Sequence, residues 1–163
     1  MSFLMSDRVP MTPRGKKMLE EKLKHLKSVE RPKNILDIET ARAHGDLSEN
    51  AEYSAAKEKQ GQIHAMIQDI EYHLGAAHVI DPATIESDKI VFGATVTLLN
   101  LDTDEKVTYT IVGKHEAKIE EGSVSIESPI ARALIGKTEG DEARVQTPKG
   151  IREFEIIDVK YGE

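Results

Sequence analysis

Apolar residues in the first half of the chain recur at helical spacing. Leu19, Leu23 and Leu26 follow one another at intervals of four and three residues, which is the period of one face of an α-helix. Thr12 and Pro13 precede this run and suit the N-cap and the first helical position. The pattern therefore predicts a helix that begins at Pro13.

The apolar face continues beyond this run, but in a shifted frame. Ile35, Ile38 and Ala41 belong to the shifted face, and Pro32 lies where the frame changes. A proline inside a helix removes a backbone hydrogen bond and kinks or breaks the helix, so we expect a kink or local break there. Gly45 suits the position just after a helix C-terminus, and we expect the helix to end before it.

A second helical segment is expected to begin near Ser48 or Glu49. Its apolar positions are Ile63, Ile67, Ile70, Leu74 and Ala77. Their spacing of four, three, four and three is typical of a coiled-coil seam. Because the loop between the two segments is short, the helices must run antiparallel and bury their seams against each other. Residues 1–80 are therefore predicted to form a coiled-coil hairpin that projects as a stalk, with its tip near residues 44–53.

Residues 81–163 have the alternation and composition of β-strands. The predicted strands are residues 94–99, 106–112, 123–126, 142–147 and 152–159. Ser128 and Pro129 open a short helix that Gly136 ends. We therefore expect a second domain of the α+β class, in which one helix packs on a small antiparallel sheet.

The charge of the chain is distributed unevenly. Residues 1–80 contain 12 Lys and Arg against 12 Asp and Glu, whereas residues 81–163 contain 10 against 17, for a net charge of −7. An acidic chain is a poor candidate for non-specific duplex binding, because phosphate neutralisation supplies most of that affinity. No sequence-specific DNA binding is expected either. Aromatic residues are too few for a single-strand stacking platform. If nucleic acid is involved, a partner protein is expected to hold it.

Several other classes of protein are disfavoured. Cysteine is absent, which excludes a disulfide framework and a cysteine nucleophile. The N-terminal residues do not form a signal-peptide pattern, and no apolar stretch approaches the roughly 20 residues that span a bilayer. We therefore expect a cytoplasmic protein that does not contact a membrane. His73 and His78 are interpreted as solvated surface residues.

The predicted hairpin loop is acidic. Between Arg42 and Lys57 there is no Lys or Arg, but there are three acids, Asp46, Glu49 and Glu52. Two interpretations are open at this point. Asp46 and Glu49 have the spacing of a capping box, and acids also interact favourably with a helix N-terminus. Alternatively, their carboxylates help to hold Mg²⁺, which takes about six oxygen ligands, in a site that a partner completes.

Several segments in both predicted domains together form a recognisable pattern. They include residues 10–12, 41–42, 45–53, 92–96, 128–137 and 147–148. The most specific is the sequence GDLSENAEY at residues 45–53. In these segments the chain resembles the Gre family of bacterial transcript-cleavage factors. The resemblance covers the chain from about residue 10 to residue 161. One departure is visible at His64 and Met66, where family members often carry Glu and Arg.

The resemblance implies both a fold and a function. The fold is an N-terminal antiparallel α-helical coiled-coil hairpin followed by a C-terminal α+β domain of FKBP-like topology. The function is that of a transcription elongation factor that binds RNA polymerase and inserts its coiled coil into the secondary channel. There it stimulates the polymerase to cleave backtracked RNA near the nascent 3′ end. The factor itself is not expected to be an enzyme.

The resemblance also implies roles for individual residues. Asp46 and Glu49 are expected to help retain a catalytic Mg²⁺ and its water at the polymerase active site, without binding the cation tightly. Arg42 and Lys57 match basic positions near the RNA or the channel wall, and Tyr53 is expected to pack against the tip loop or contact the channel.

A second set of residues is expected to dock on polymerase. Ser128, Pro129 and Arg132 match the docking segment. Their apolar neighbours Ile130, Ala133 and Leu134 are interpreted as core residues.

Three alternatives remain open. The first is an antagonist that uses the same fold to block the channel, although both tip acids fit the cleavage pattern. The second is a prolyl isomerase or chaperone, which FKBP-like topology suggests but fold alone does not establish. The third is a passive coiled-coil scaffold, in which Asp46 and Glu49 only stabilise a helix.

Overall fold

The structure is a computed structural model that describes residues 8–45 and 50–162. Within these ranges the chain forms two compact units. One consists of Lys17–Ala76, and the other combines residues 8–16 with residues 77–162. No helix in the described ranges combines the length and the apolar character needed to cross a membrane.

The first helical run begins where the sequence predicts. Helix α1 spans Pro13–His25, a π-helical segment spans Leu26–Glu30, and helix α2 spans Arg31–Ala43. Thr12 Oγ1 accepts a hydrogen bond of 3.0 Å from the Gly15 N–H. This bond satisfies one of the free donors at the helix start, so the predicted cap at Thr12 is confirmed.

Pro32 does not end the helical run. The Arg31 N–H donates to the carbonyl of Leu26, five residues earlier, so the backbone takes up one extra residue in the turn before the proline. This π-helical segment is the local break expected at Pro32. It also changes which side chains are buried: Asn34 is 4 % exposed and Ile35 is 46 % exposed. The prediction that Ile35 lies on the buried face is therefore wrong.

Helix α3 spans Ala51–Gly75 and forms the other arm of the hairpin. Ile63, Ile67 and Ile70 are buried, as the heptad pattern predicts. The expected start near Ser48 or Glu49 is wrong, because residue 50 has an extended backbone and forms the N-cap. Ala77 is also wrongly placed in the helical seam, since α3 ends at Gly75 and residue 77 begins a strand.

Two side-chain contacts show that α2 and α3 belong to an antiparallel pair. Asn34 Nδ2 donates to the Ala56 carbonyl at 2.9 Å. Earlier in the first run, Lys27 Nζ donates to Glu71 Oε2 at 2.8 Å. The earlier residue of the first run thus meets the later residue of α3, which confirms the predicted direction.

His73 is buried, so its interpretation as a solvated surface residue is wrong. It follows Ile70 by three residues and therefore lies on the same face of α3. Its Nδ1–H donates to the Asp69 carbonyl at 2.7 Å. His78 is half-buried in a strand.

A short parallel pair of strands was not predicted. Strand β1 spans Val9–Met11 and pairs with β2, which spans Ala77–Val79. Each strand has only three residues, too few for an alternating pattern to be recognised. The pairing joins the N-terminal segment to the second half of the chain.

The remaining strands form one sheet of five. They are β3 (Thr95–Asn100), β4 (Lys106–Val112), β5 (Ser123–Ser125), β6 (Glu142–Thr147) and β7 (Gly150–Lys160), in the order β5-β4-β3-β7-β6. The expectation of a purely antiparallel sheet is wrong, because β5 pairs parallel to β4. Helix α4 spans Pro129–Leu134. The core includes Val96, Leu98, Ile111, Ala131, Leu134, Val145 and Ile156.

A matched pair of leucines tests the register of the hairpin. Leu26 is 1 % exposed and Leu36 is 61 % exposed. Leu26→Ala is expected to lower the free energy of unfolding by about 3 kcal/mol, because it removes buried contacts and leaves a cavity. Leu36→Ala is expected to change it by no more than about 0.5 kcal/mol. Urea unfolding followed by far-ultraviolet circular dichroism measures both, and equal losses would contradict this register.

Candidate functional site

The candidate site lies where α2 ends and α3 begins. Helix α2 ends at Ala43, and Gly45 has a φ of 117°. This left-handed conformation favours glycine after a helix C-terminus, so the predicted helix end is confirmed. The predicted tip acids, Asp46 and Glu49, lie outside the described residues.

Asn50 joins the two helices on either side of the tip. Its Nδ2 donates to the Ala41 carbonyl at 2.6 Å, and its Oδ1 accepts from the Tyr53 N–H at 3.0 Å. One side chain thus caps α3 and binds a carbonyl in the last turn of α2. The capping-box interpretation, which placed Asp46 at the N-cap, is wrong because Asn50 holds that position.

Arg42 and Tyr53, two of the predicted support residues, contact each other. The guanidinium carbon of Arg42 lies 6.0 Å from the centroid of the Tyr53 ring, at the outer limit of a cation–π contact. Arg42 is exposed, and Tyr53 is half-buried. The contact is a second connection between the last turn of α2 and the first turn of α3.

A third connection, between His44 and Glu52, was not predicted. His44 Nδ1 lies 2.7 Å from Glu52 Oε2. Because a carboxylate only accepts, the hydrogen belongs to Nδ1 and the imidazole donates. The sequence shows both residue types but contains no periodic signal that would pair them across a loop. Asn50 was missed for the same reason.

Lys57 lies outside this cluster of contacts. Its Nζ donates to Gln60 Oε1 at 2.9 Å, one turn further along α3. Lys57 also lines a groove of about 390 Å³ on the side of the hairpin, together with Arg31, Gln60 and His64. Its positive charge is therefore presented on the flank of the hairpin rather than at the cross-linked helix ends.

The predicted docking residues lie at the start of α4 and on its exposed side. Ser128 Oγ accepts from the Ala131 N–H at 3.2 Å and caps the helix. Pro129 and Arg132 are exposed. The apolar neighbours pack against the core, as predicted: Leu134 is fully buried, and Ile130 and Ala133 are partly buried against it. The docking role of Ser128, Pro129 and Arg132 stays a prediction.

Two family models match the chain, one for each half. The model described as "Transcription elongation factor, N-terminal" matches residues 9–79. The model described as "Transcription elongation factor, GreA/GreB, C-term" matches residues 85–161. The chain belongs to the GreA/GreB family. The expected family and the two-domain fold class are thereby confirmed.

Relatives within the GreA/GreB family are similar over nearly their whole length. Transcription elongation factor GreA of Neisseria meningitidis serogroup A is 56 % identical over 155 residues, covering 94 % of this chain and 98 % of that protein. The protein of the same name from Psychrobacter sp. strain PRwf-1 is 57 % identical over 155 residues, with the same 94 % and 98 % coverage. Among solved structures, GreA factor homolog 1 of Thermus thermophilus is 25 % identical and covers 93 % of this chain and 98 % of that chain, with a TM-score of 0.43.

Two substitutions at Asn50 test the connection between the helix ends. Asn50→Ala removes both side-chain hydrogen bonds and is expected to lower the free energy of unfolding of the hairpin by about 1–2 kcal/mol. Asn50→Asp keeps an acceptor for the Tyr53 N–H but loses the donor to the Ala41 carbonyl, so a smaller loss is expected. Urea unfolding measures both. Wild-type stability in both variants would show that Asn50 does not hold the two ends together.

Proposed function

We propose that this chain is a GreA-type factor that binds RNA polymerase, inserts its hairpin into the secondary channel and stimulates cleavage of backtracked RNA by the polymerase. Family membership across both halves supports the polymerase as partner. The cleavage role is carried by one observation: the sequence GDLSENAEY spans residues 45–53, from just after α2 into the first turn of α3, and Asn50 ties these two helix ends together. The chain donates side chains to the reaction but does not catalyse it alone.

Asp46 and Glu49 are the residues that we propose to hold Mg²⁺ together with the polymerase. Carboxylates are hard oxygen donors and suit this cation, but Mg²⁺ requires about six ligands in near-octahedral geometry. Two side chains from one loop fall well short of that number, so the polymerase and water must provide the rest. When bound, the cation supplies an activated water as nucleophile.

The length of the hairpin suits delivery of these acids to an active site inside another protein. The 25 residues of α3 span roughly 38 Å at about 1.5 Å per residue, more than the diameter of a small domain. Loop residues at the end of such a hairpin can reach a site buried inside a partner.

The basic residues near the tip are assigned a supporting role. Arg42, which contacts the Tyr53 ring, and the exposed Lys57 offer positive charge to RNA phosphates or to the channel wall. Ser128, Pro129 and Arg132 are proposed to contact the polymerase surface from the second unit. Because residues 81–163 carry 17 acids against 10 basic residues, this stretch of the chain is suited to a basic surface and its binding should weaken with salt.

The experiment that tests the proposal uses backtracked RNA polymerase complexes with 3′-labelled RNA and Mg²⁺. The wild-type chain is expected to release short 3′ fragments rapidly. Asp46→Asn and Glu49→Gln preserve side-chain shape but remove the charge, so each is expected to lower the cleavage rate by about a hundredfold or more. Glu58→Gln, which neutralises an exposed acid further along α3, is the matched control and should cleave at the wild-type rate.

Binding and thermal unfolding are measured on every variant. Loss of cleavage in variants that bind and fold normally is the result expected for a metal-holding role. Binding of the wild-type chain without any stimulation would instead identify an antagonist that blocks the channel. Full activity in both tip variants would leave the acids with no role in cleavage.

A further inference from the structure

We infer that His44 and Glu52 form a positioning pair, which holds the two ends of the acidic loop at a fixed separation so that Asp46 and Glu49 reach the cation together. The inference rests on the proposed function of these two acids. It assigns a role to a histidine and to a third acid that neither the helical pattern nor the tip sequence singles out. Neither residue is proposed to touch the RNA or the cation.

The pair joins the end of α2 to the first turn of α3. His44 is the C-cap of α2, and Glu52 is the second residue of α3. Their side chains meet at 2.7 Å, although the residues are eight positions apart. Asn50 makes a second link to the last turn of α2 at Ala41, and together the two links fix both where and in what direction the chain leaves one helix and enters the other.

The hydrogen bond also bears on the role of Glu52. Its Oε2 accepts from His44, so this carboxylate is directed to a partner within the chain. A ligand to an incoming cation must instead be presented to the partner protein. Of the three acids between Arg42 and Lys57, Glu52 is therefore assigned to positioning rather than to binding.

Stability alone does not explain a pair at this place. The side chains of His44 and Glu52 are 55 % and 67 % exposed, and ion pairs between exposed groups contribute little to folding. Each residue also suits its own helix end, since a histidine near a C-terminus and a glutamate near an N-terminus both interact favourably with the helix dipole. If those separate effects were the whole explanation, the two side chains would act independently.

Catalytic groups are sensitive to small displacements. A constellation must be held within about 0.5 Å of its productive geometry, and a misplacement of about 1 Å can cost a hundredfold in rate. A side-chain contact that fixes the separation of two helix ends leaves any chain that connects them fewer conformations to sample. Loss of the pair is therefore expected to lower the rate of cleavage without weakening the binding of the factor to polymerase.

The test is a double-mutant cycle in the backtracked-complex assay. His44→Ala, Glu52→Ala and the double variant are compared at saturating factor, and the factor concentration that gives half-maximal cleavage is measured for each. Each single variant is expected to cleave on the order of tenfold more slowly, with an unchanged half-maximal concentration. The double variant is expected to cleave no more slowly than the slower of the two single variants, because either change already removes the contact.

Two further variants serve as rescue and control. His44→Asn places an amide N–H close to the position of Nδ1 and is expected to retain most of the wild-type rate. Glu58→Ala removes an exposed acid from the same helix and should leave the rate unchanged. Urea unfolding of each purified variant shows whether a loss of rate merely reflects an unfolded hairpin.

Several outcomes would overturn the inference. Multiplicative losses of about a hundredfold in the double variant would show that the two residues act separately. A raised half-maximal concentration would assign them to polymerase contact, and wild-type rates in both single variants would leave them without a role. If the wild-type chain itself fails to stimulate cleavage, the proposed function fails rather than the role of this pair. Asp46→Asn identifies that case, because the variant and the wild-type chain then give the same cleavage rate.

Discussion

Two helices that pair along one narrow seam must keep every buried side chain in register, and the hairpin depends on this constraint. Leu26 and Ile38 are buried on one arm and Ile67 on the other, while most of their neighbours are exposed. The apolar frame of the first arm shifts at Pro32, and an unbroken α-helix would carry that shift into the seam. The π-helical segment takes up one extra residue before the proline, and the run continues with Asn34 and Ile38 facing α3.

Two asparagines then fix the register that the apolar side chains leave open. Asn34 donates to the Ala56 carbonyl in the middle of the hairpin, and Asn50 donates to the Ala41 carbonyl at its end. A polar residue in an apolar seam costs some stability but disfavours shifted pairings, because a shift would leave its amide unpaired. For a hairpin proposed to carry carboxylates to another protein's active site, a fixed register also fixes where its loop lies.

Much of the architecture could be predicted from the sequence because it depends on local interactions. The helix start at Pro13 follows from a capping threonine and a proline with a preset φ, and both effects act within one turn. Strands β4 and β6 have their predicted bounds because alternation is visible over six or seven residues. The specific tip sequence at residues 45–53 identified the family, and it marked Asp46 and Glu49 as candidates without any knowledge of their surroundings.

Tertiary structure decided what depends on surfaces that meet across the chain. The sequence alone favoured Ile35 over Asn34 as the buried residue, because an amide is buried only where a partner such as the Ala56 carbonyl is available. It also gave no means of pairing β5 parallel to β4, or β1 to β2, because strands of three residues carry no register of their own. At the tip, the sequence determined which side chains are present, including the two acids that we propose to share a cation with the polymerase. The contacts of Asn50, His44 and Glu52 arise only when two helix ends approach each other, since hydrogen bonds across a loop depend on distance in space and not on spacing along the chain.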